Sequence, residues 1–169
     1  MSLIGQTRWW AKYAAVKTFF GFFGKPETSL YCEVLWTLVE IQNLPNIEAT
    51  PRIQANAFIH NLLKYETILT AQIFLRIFEH TDPLSKYLQT SGLDLLCAHG
   101  MVETTQNTLQ KLTRDFNGIK DAAQTFVQWA NKKLRDEENE FVMDVEDTLP
   151  QKRVRKKNFY LMRSVMMNH

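Results

Sequence analysis

From Leu95 to Phe116 the positions Leu95, Ala98, Val102, Thr105, Leu109, Leu112 and Phe116 follow one another in alternating steps of three and four. Only a helix brings residues back to one side at that interval, because about 3.6 residues complete each turn. A seam of this length predicts a helix lying lengthwise against a neighbour. The same period returns after Asn117-Gly118, read as a turn, through Ile119, Ala122, Ala123, Phe126, Ala130 and Leu134. Strand-like alternation is confined to a few residues near Phe141-Val142-Met143. Apolar surface must therefore be buried helix on helix. The predicted class is all-α: an irregular bundle of six to seven helices with a charged, poorly ordered C-terminal tail.

The remaining helices follow from periodicity and breakers. A first helix is predicted from Thr7, as N-cap, or Arg8 to about Phe23, with Trp9, Tyr13, Val16 and Phe20 on one face and Gly21, Gly24 and Pro26 breaking the pattern. A second spans Thr28 to Gln42 and stops before Pro45, whose ring disfavours helical backbone at the residue before it. A third covers Ala49 to Lys64, with Pro51 tolerated in its first turn and a stripe of Ile53, Ala57, Ile59, Leu62 and Leu63. Residues 66–80 form a fourth, apolar on one side through Leu69, Ile73, Phe74, Ile77 and Phe78. Asp82 as N-cap and Pro83 at the first helical position start a fifth, which Ser91-Gly92 interrupts.

Charge divides the chain. Residues 1–135 carry 14 Lys/Arg and 11 Asp/Glu, residues 136–147 carry seven acids and no base, and from 152 onward there are six bases and no acid. The net charge of +2 hides this acidic-then-basic order, which marks a solvated tail. The expected organisation is a helical domain over 1–135 and a tail or linker over 136–169. Residues 158–169 are apolar enough to pack but have no evident partner in the chain.

Some chemistries are disfavoured. No apolar run approaches the ~20 residues that a membrane span needs, and Met1-Ser2-Leu3-Ile4-Gly5 lacks the form of a secretory signal. Cys32 and Cys97 form no CxxC and are read as buried, inert thiols. Asp94, Glu103, Asp115 and Asp121 have no metal-ligand spacing, and His60, His80 and His99 stand on separate segments. No metal, cofactor, small-molecule substrate or membrane is expected.

Two short segments point further. Thr7-Arg8-Trp9 opens the first helix and leads into Lys12-Tyr13-Ala14-Ala15-Val16; some seventy-five residues on comes Thr81-Asp82-Pro83-Leu84-Ser85-Lys86-Tyr87-Leu88-Gln89. In that order, with helical sequence between, they resemble the central helical insertion of hAT-family transposases and of cellular proteins derived from such transposons, including the zinc finger MYM-type group. The resemblance runs from about Thr7 to Tyr160. Asp82 stands where family members more often have Asn, an equivalent cap. Trp10 replaces the small or polar residue usual after the Arg-Trp pair.

The resemblance implies roles. Trp9 would stack on a base flipped out beside a cleaved DNA end, and Arg8 would lie near phosphate. The basic run Lys152, Arg153, Arg155, Lys156 and Lys157 would track a nucleic-acid backbone or serve as a nuclear import signal. The family's RNase H-like catalytic domain gathers three metal-binding carboxylates, two of them before the Arg-Trp pair and one beyond the helical region. None is expected here, so catalytic residues are taken as none. The implied function is a non-catalytic fragment or domesticated derivative that contacts DNA, nuclear or otherwise cytoplasmic. The alternative is a helical module for protein partners or self-association, without nucleic-acid binding.

Overall fold

The computed structural model describes residues 6–136 and 143–150, with residues 6–10 described by their backbone alone. It is all-α. Six helices follow in order: α1 Gln6–Phe20, α2 Tyr31–Asn43, α3 Ala49–Leu62, α4 Tyr65–Tyr87, α5 Leu95–Leu112 and α6 Phe116–Asp136, with a 3-10 turn at Pro26–Thr28 between the first two. Among the described residues there is no sheet, only an isolated bridge between Phe22 and Lys25.

α4 is the axis of the molecule, touching α1, α3, α5 and α6. α2 packs on α3 and also reaches α6. The core gathers Tyr31, Cys32 and Leu35 of α2, Ile68 and Leu69 of α4, and Phe126, Val127 and Ala130 of α6. Aromatic rings dominate it. Tyr31 meets Phe126 edge to face with centroids 5.1 Å apart, and Phe19 and Phe20 flank the pair at 5.8 and 5.9 Å from Tyr31. Edge-to-face contacts of this kind add to what burial alone contributes. On α6 the predicted stripe is buried throughout, from Ile119 to Leu134.

Helix ends differ from expectation in instructive ways. Thr7 lies within α1, and the helix stops at Phe20 rather than near Phe23. Gly21 adopts φ +76°, and its backbone turns so tightly that an added Cβ would come 2.7 Å from the Lys25 carbonyl. The reversal is then pinned: Ser29 Oγ donates to the Phe19 carbonyl (2.6 Å) and accepts from Tyr31 N–H (3.1 Å), while Leu30 N–H donates to the Thr18 carbonyl. Thr28 belongs to the 3-10 turn, so α2 starts three residues later than its periodicity suggested.

The expected break at Asp82-Pro83 does not occur. α4 runs through Pro83 without a separate fifth helix, and Asp82 instead pairs with Lys86 across one turn at 2.7 Å. Proline removes one helical hydrogen bond, but packing on both sides of the helix holds its course. Asn117-Gly118 is likewise no turn. Both lie in the first turn of α6, where Asp115 Oδ1 accepts the Gly118 N–H at 3.1 Å.

Two predicted apolar stripes are covered only in part. In α3 the buried residues are Ala55 and Ile59, whereas Ile53 is 67 % exposed and Ala57 is also exposed. In α5 the inward line is Ala98, Met101, Thr105, Leu109 and Leu112, while Leu95 is 77 % and Val102 42 % exposed. The cause is shared. Each is an edge helix with one main neighbour, and a single neighbour covers less than the full apolar arc. Cys97, which borders a cavity shared with Pro83 and Leu84 of α4, is exposed rather than a core thiol; Cys32 is buried as expected.

Residues 143–147 are not a free linker. They lie on the body without helix or strand, with Val145 buried and Met143 packed on the core.

Candidate functional site

α1 and α4 run antiparallel, as two successive levels of contact show. Near the C-terminal end of α1, Val16 and Phe20 border a cavity of about 390 Å³ with Thr67, Thr70 and Phe74 near the start of α4. One turn back along α1, the Tyr13 ring lies 5.2 Å from that of Phe78. The Tyr13 hydroxyl is held above the usual phenol range, first by burial, then by the negative charges of Asp82 and Glu79, with Lys86 acting the other way. Moving toward the N-terminus of α1 therefore means moving toward the C-terminus of α4.

The consequence concerns the two segments singled out in the sequence. The first turn of α1, which carries the backbone of Arg8 and Trp9, comes to the same end of the helix pair as Asp82–Tyr87. On α1, Ala11, Lys12, Ala14 and Ala15 are exposed, and Arg8 precedes Lys12 by one turn. The helix contains Arg8, Lys12 and Lys17 and no acid. Lys17 is drawn to aromatic faces, 4.1 Å from the Phe22 ring centroid and 6.0 Å from that of Tyr13. The Arg8 and Trp9 side chains, and all of Lys152, Arg153, Arg155, Lys156 and Lys157, lie outside the described residues.

Two of the scattered acids cap helices, and Asp121 is exposed. Asp94 caps α5 by accepting the Leu96 and Cys97 N–H groups, and Asp115 caps α6. Glu103 stands 3.8 Å from His99 on the next turn. Among the described residues no three His, Cys, Asp or Glu side chains are grouped so as to hold a metal ion. His60 and His99 are exposed, and His80 keeps a buried Nε2 without a hydrogen-bond partner. No described helix is long and apolar enough to cross a membrane.

A further constellation escaped the sequence reading. Asn131 on α6 uses both ends of its amide on one residue: Nδ2 donates to the Val145 carbonyl (3.2 Å) and Oδ1 accepts the Val145 N–H (2.7 Å). Arg135, one turn on, donates from Nε and Nη2 to Asp144 Oδ1 at 3.0 and 2.8 Å. The Leu63 carbonyl, where α3 hands over to α4, accepts the Glu146 N–H at 2.8 Å. The signal available in the sequence was the alternation of Met143, Asp144, Val145 and Glu146, two apolar residues interleaved with two acids. It extends the strand-like alternation noted near Phe141-Val142-Met143.

No protein-family model, no curated protein and no solved structure matches this chain.

Proposed function

We propose that this chain is a non-catalytic helical module of the hAT-transposase type that contacts DNA through the end of the molecule where α1 begins and α4 stops. The observation that supports it is the antiparallel pairing of α1 with α4, which gathers the Arg8-Trp9 turn and the Asp82–Tyr87 turn at one end. An α1 whose charged residues are all basic, with small exposed residues between them, lets a phosphate backbone approach closely. In this reading Trp9 stacks on an unpaired base, Arg8 neutralises phosphate, and the 152–157 run adds sequence-independent attraction and directs the protein to the nucleus.

The test is a mobility-shift titration of the full chain with hairpin and linear duplexes across a salt series. Wild type should bind more weakly as salt rises, because cationic contacts release counterions. Trp9→Ala should lose about 5- to 100-fold in affinity for the hairpin, the size of one lost base stack. Arg8→Ala should flatten the salt dependence. Absence of binding at every salt concentration, or equal binding by wild type and Trp9→Ala, removes the nucleic-acid role.

A second reading rests on α5. Leu95 and Leu96 are 77 and 86 % exposed, and Val102 continues the same uncovered side. Exposed leucines in this number suit a protein contact or self-association. If that contact is the function, Leu95→Glu with Leu96→Lys abolishes partner capture or self-association in sedimentation while DNA binding is absent throughout.

A further inference from the structure

The way the chain holds its own residues 143–146 has the form of peptide recognition. Three of the bonds read main chain, not side chains: both from Asn131 to Val145, and the one from Leu63 to Glu146. Main-chain bonds secure any extended peptide in the right register, and specificity then falls to the side chains. Here those are one buried apolar anchor, Val145, and an acid before it, Asp144, gripped by Arg135. The neighbouring wall of α6 carries Lys132, so the acidic character of the segment meets a basic surface.

The segment also leaves space beside it. A polar trough of about 510 Å³ continues along α6 past Asp147, lined by Gln124, Gln128, Asn131, Lys132 and Arg135. A ligand longer than the chain's own segment would find further amide and cationic partners there. The intramolecular contact buries little, since Val145 alone is fully enclosed and Met143 only partly. Its covalent continuity with α6 raises the local concentration of the segment rather than its intrinsic affinity.

We propose that the α6 surface around Asn131 and Arg135, together with the Leu63 carbonyl at the α3–α4 junction, is a binding site for an extended protein segment presenting an acid followed by an apolar residue, and that residues 144–146 occupy it in cis. The expected occupant in trans is a partner protein with an acidic, extended segment, which displaces residues 143–146 and engages Asn131, Arg135 and the Leu63 carbonyl. The inference is independent of the DNA reading, which concerns the other end of α4.

The probe is a fluorescent peptide of residues 141–149, Phe-Val-Met-Asp-Val-Glu-Asp-Thr-Leu, titrated by anisotropy against full-length protein. Val145→Asp should vacate the site, and this variant should bind the peptide at least about tenfold more tightly than wild type, whose site is filled. Adding Asn131→Ala should weaken that binding about tenfold or more, and a scrambled peptide should not bind. Should Val145→Asp lose its helical circular dichroism, the same titration on the gentler Val145→Thr decides. A charge exchange makes the sharpest check: Arg135→Glu together with Val145→Thr should reject the natural peptide and accept one carrying Lys in place of Asp144. Folded variants that fail to bind the peptide saturably, or that bind natural and scrambled sequences alike, overturn the proposal.

Discussion

Tyr31 donates its hydroxyl proton to the Leu62 carbonyl over 2.8 Å, joining the start of α2 to the end of α3 from inside the core. The ring is wholly enclosed and the carbonyl belongs to the last turn of a helix, where it has no partner further along the chain. Tyr31→Phe keeps the ring against Phe126 and leaves that carbonyl unpaired. The expected loss of stability is about 1–2 kcal/mol, read from urea unfolding midpoints. An unchanged midpoint would mean that water reaches Leu62 once the hydroxyl is gone.

The same phenol makes the fold sensitive to alkali. Burial, and then the neighbouring Cys32, push the Tyr31 pKa far up, whereas in the unfolded chain it is about 10. Below that pH both states hold the proton and stability does not depend on this group. Above it the unfolded chain releases the proton while the folded protein keeps it, so stability falls by about 1.4 kcal/mol per pH unit for this tyrosine. Tyr13 and Tyr65 shift in the same direction, each first through burial and then through nearby acids, and steepen the fall. Unfolding midpoints from about pH 9 to about pH 12 should therefore drop in wild type and drop less in Tyr31→Phe.

Two glycines with similar dihedrals should respond differently to alanine. Gly21 has φ +76° and Gly92 φ +79°, but only at Gly21 would a Cβ meet backbone, the Lys25 carbonyl at 2.7 Å; at Gly92 nothing lies within 4 Å. Gly92→Ala should cost about 1 kcal/mol, the ordinary penalty of a left-handed residue. Gly21→Ala should cost about 3 kcal/mol or more, because the turn that starts α1's return into the core must open. Equal losses would show that the turn at residue 21 yields easily.

Pro83 offers a stabilising substitution. It lies inside α4, where its missing N–H leaves the Glu79 carbonyl without a helical donor. Its side chain is exposed, so little packing is lost on truncation. Pro83→Ala should raise stability by about 1–3 kcal/mol and slow hydrogen exchange over the last turns of α4. A loss of stability instead would assign the ring a packing role against α5, whose Cys97 and Met101 border the same cavity.

Helix content and the α6 face were legible in the chain because they depend on near neighbours. Ile119, Ala122, Ala123, Phe126, Ala130 and Leu134 share one side at 3.6 residues per turn wherever α6 is placed, and all are buried. The Asp82-Pro83 pair misled for the same local reason. It has the composition of a helix start, and nothing within a few residues reveals that Tyr13, far upstream in sequence, braces the helix against Phe78. Leu95, Val102 and Ile53 were assigned to buried stripes by period alone, and period cannot say how many neighbours a helix has.

The candidate sites divide in the same way. Arg8-Trp9 and the Thr81–Gln89 segment are visible as words in the sequence, but their meeting at one end of the molecule follows only from the antiparallel course of α1 and α4. Asn131 and Val145 were silent in the chain, since an asparagine beside an apolar stripe is ordinary until a backbone lies across it. The order of residues by itself determined where the chain is helical and which side of α6 is greasy, because those are contests between neighbouring residues and water. Tertiary packing alone decided which stripes are covered, whether α4 passes its proline, and where residues 143–146 rest, because each of those balances free energy between segments far apart in sequence.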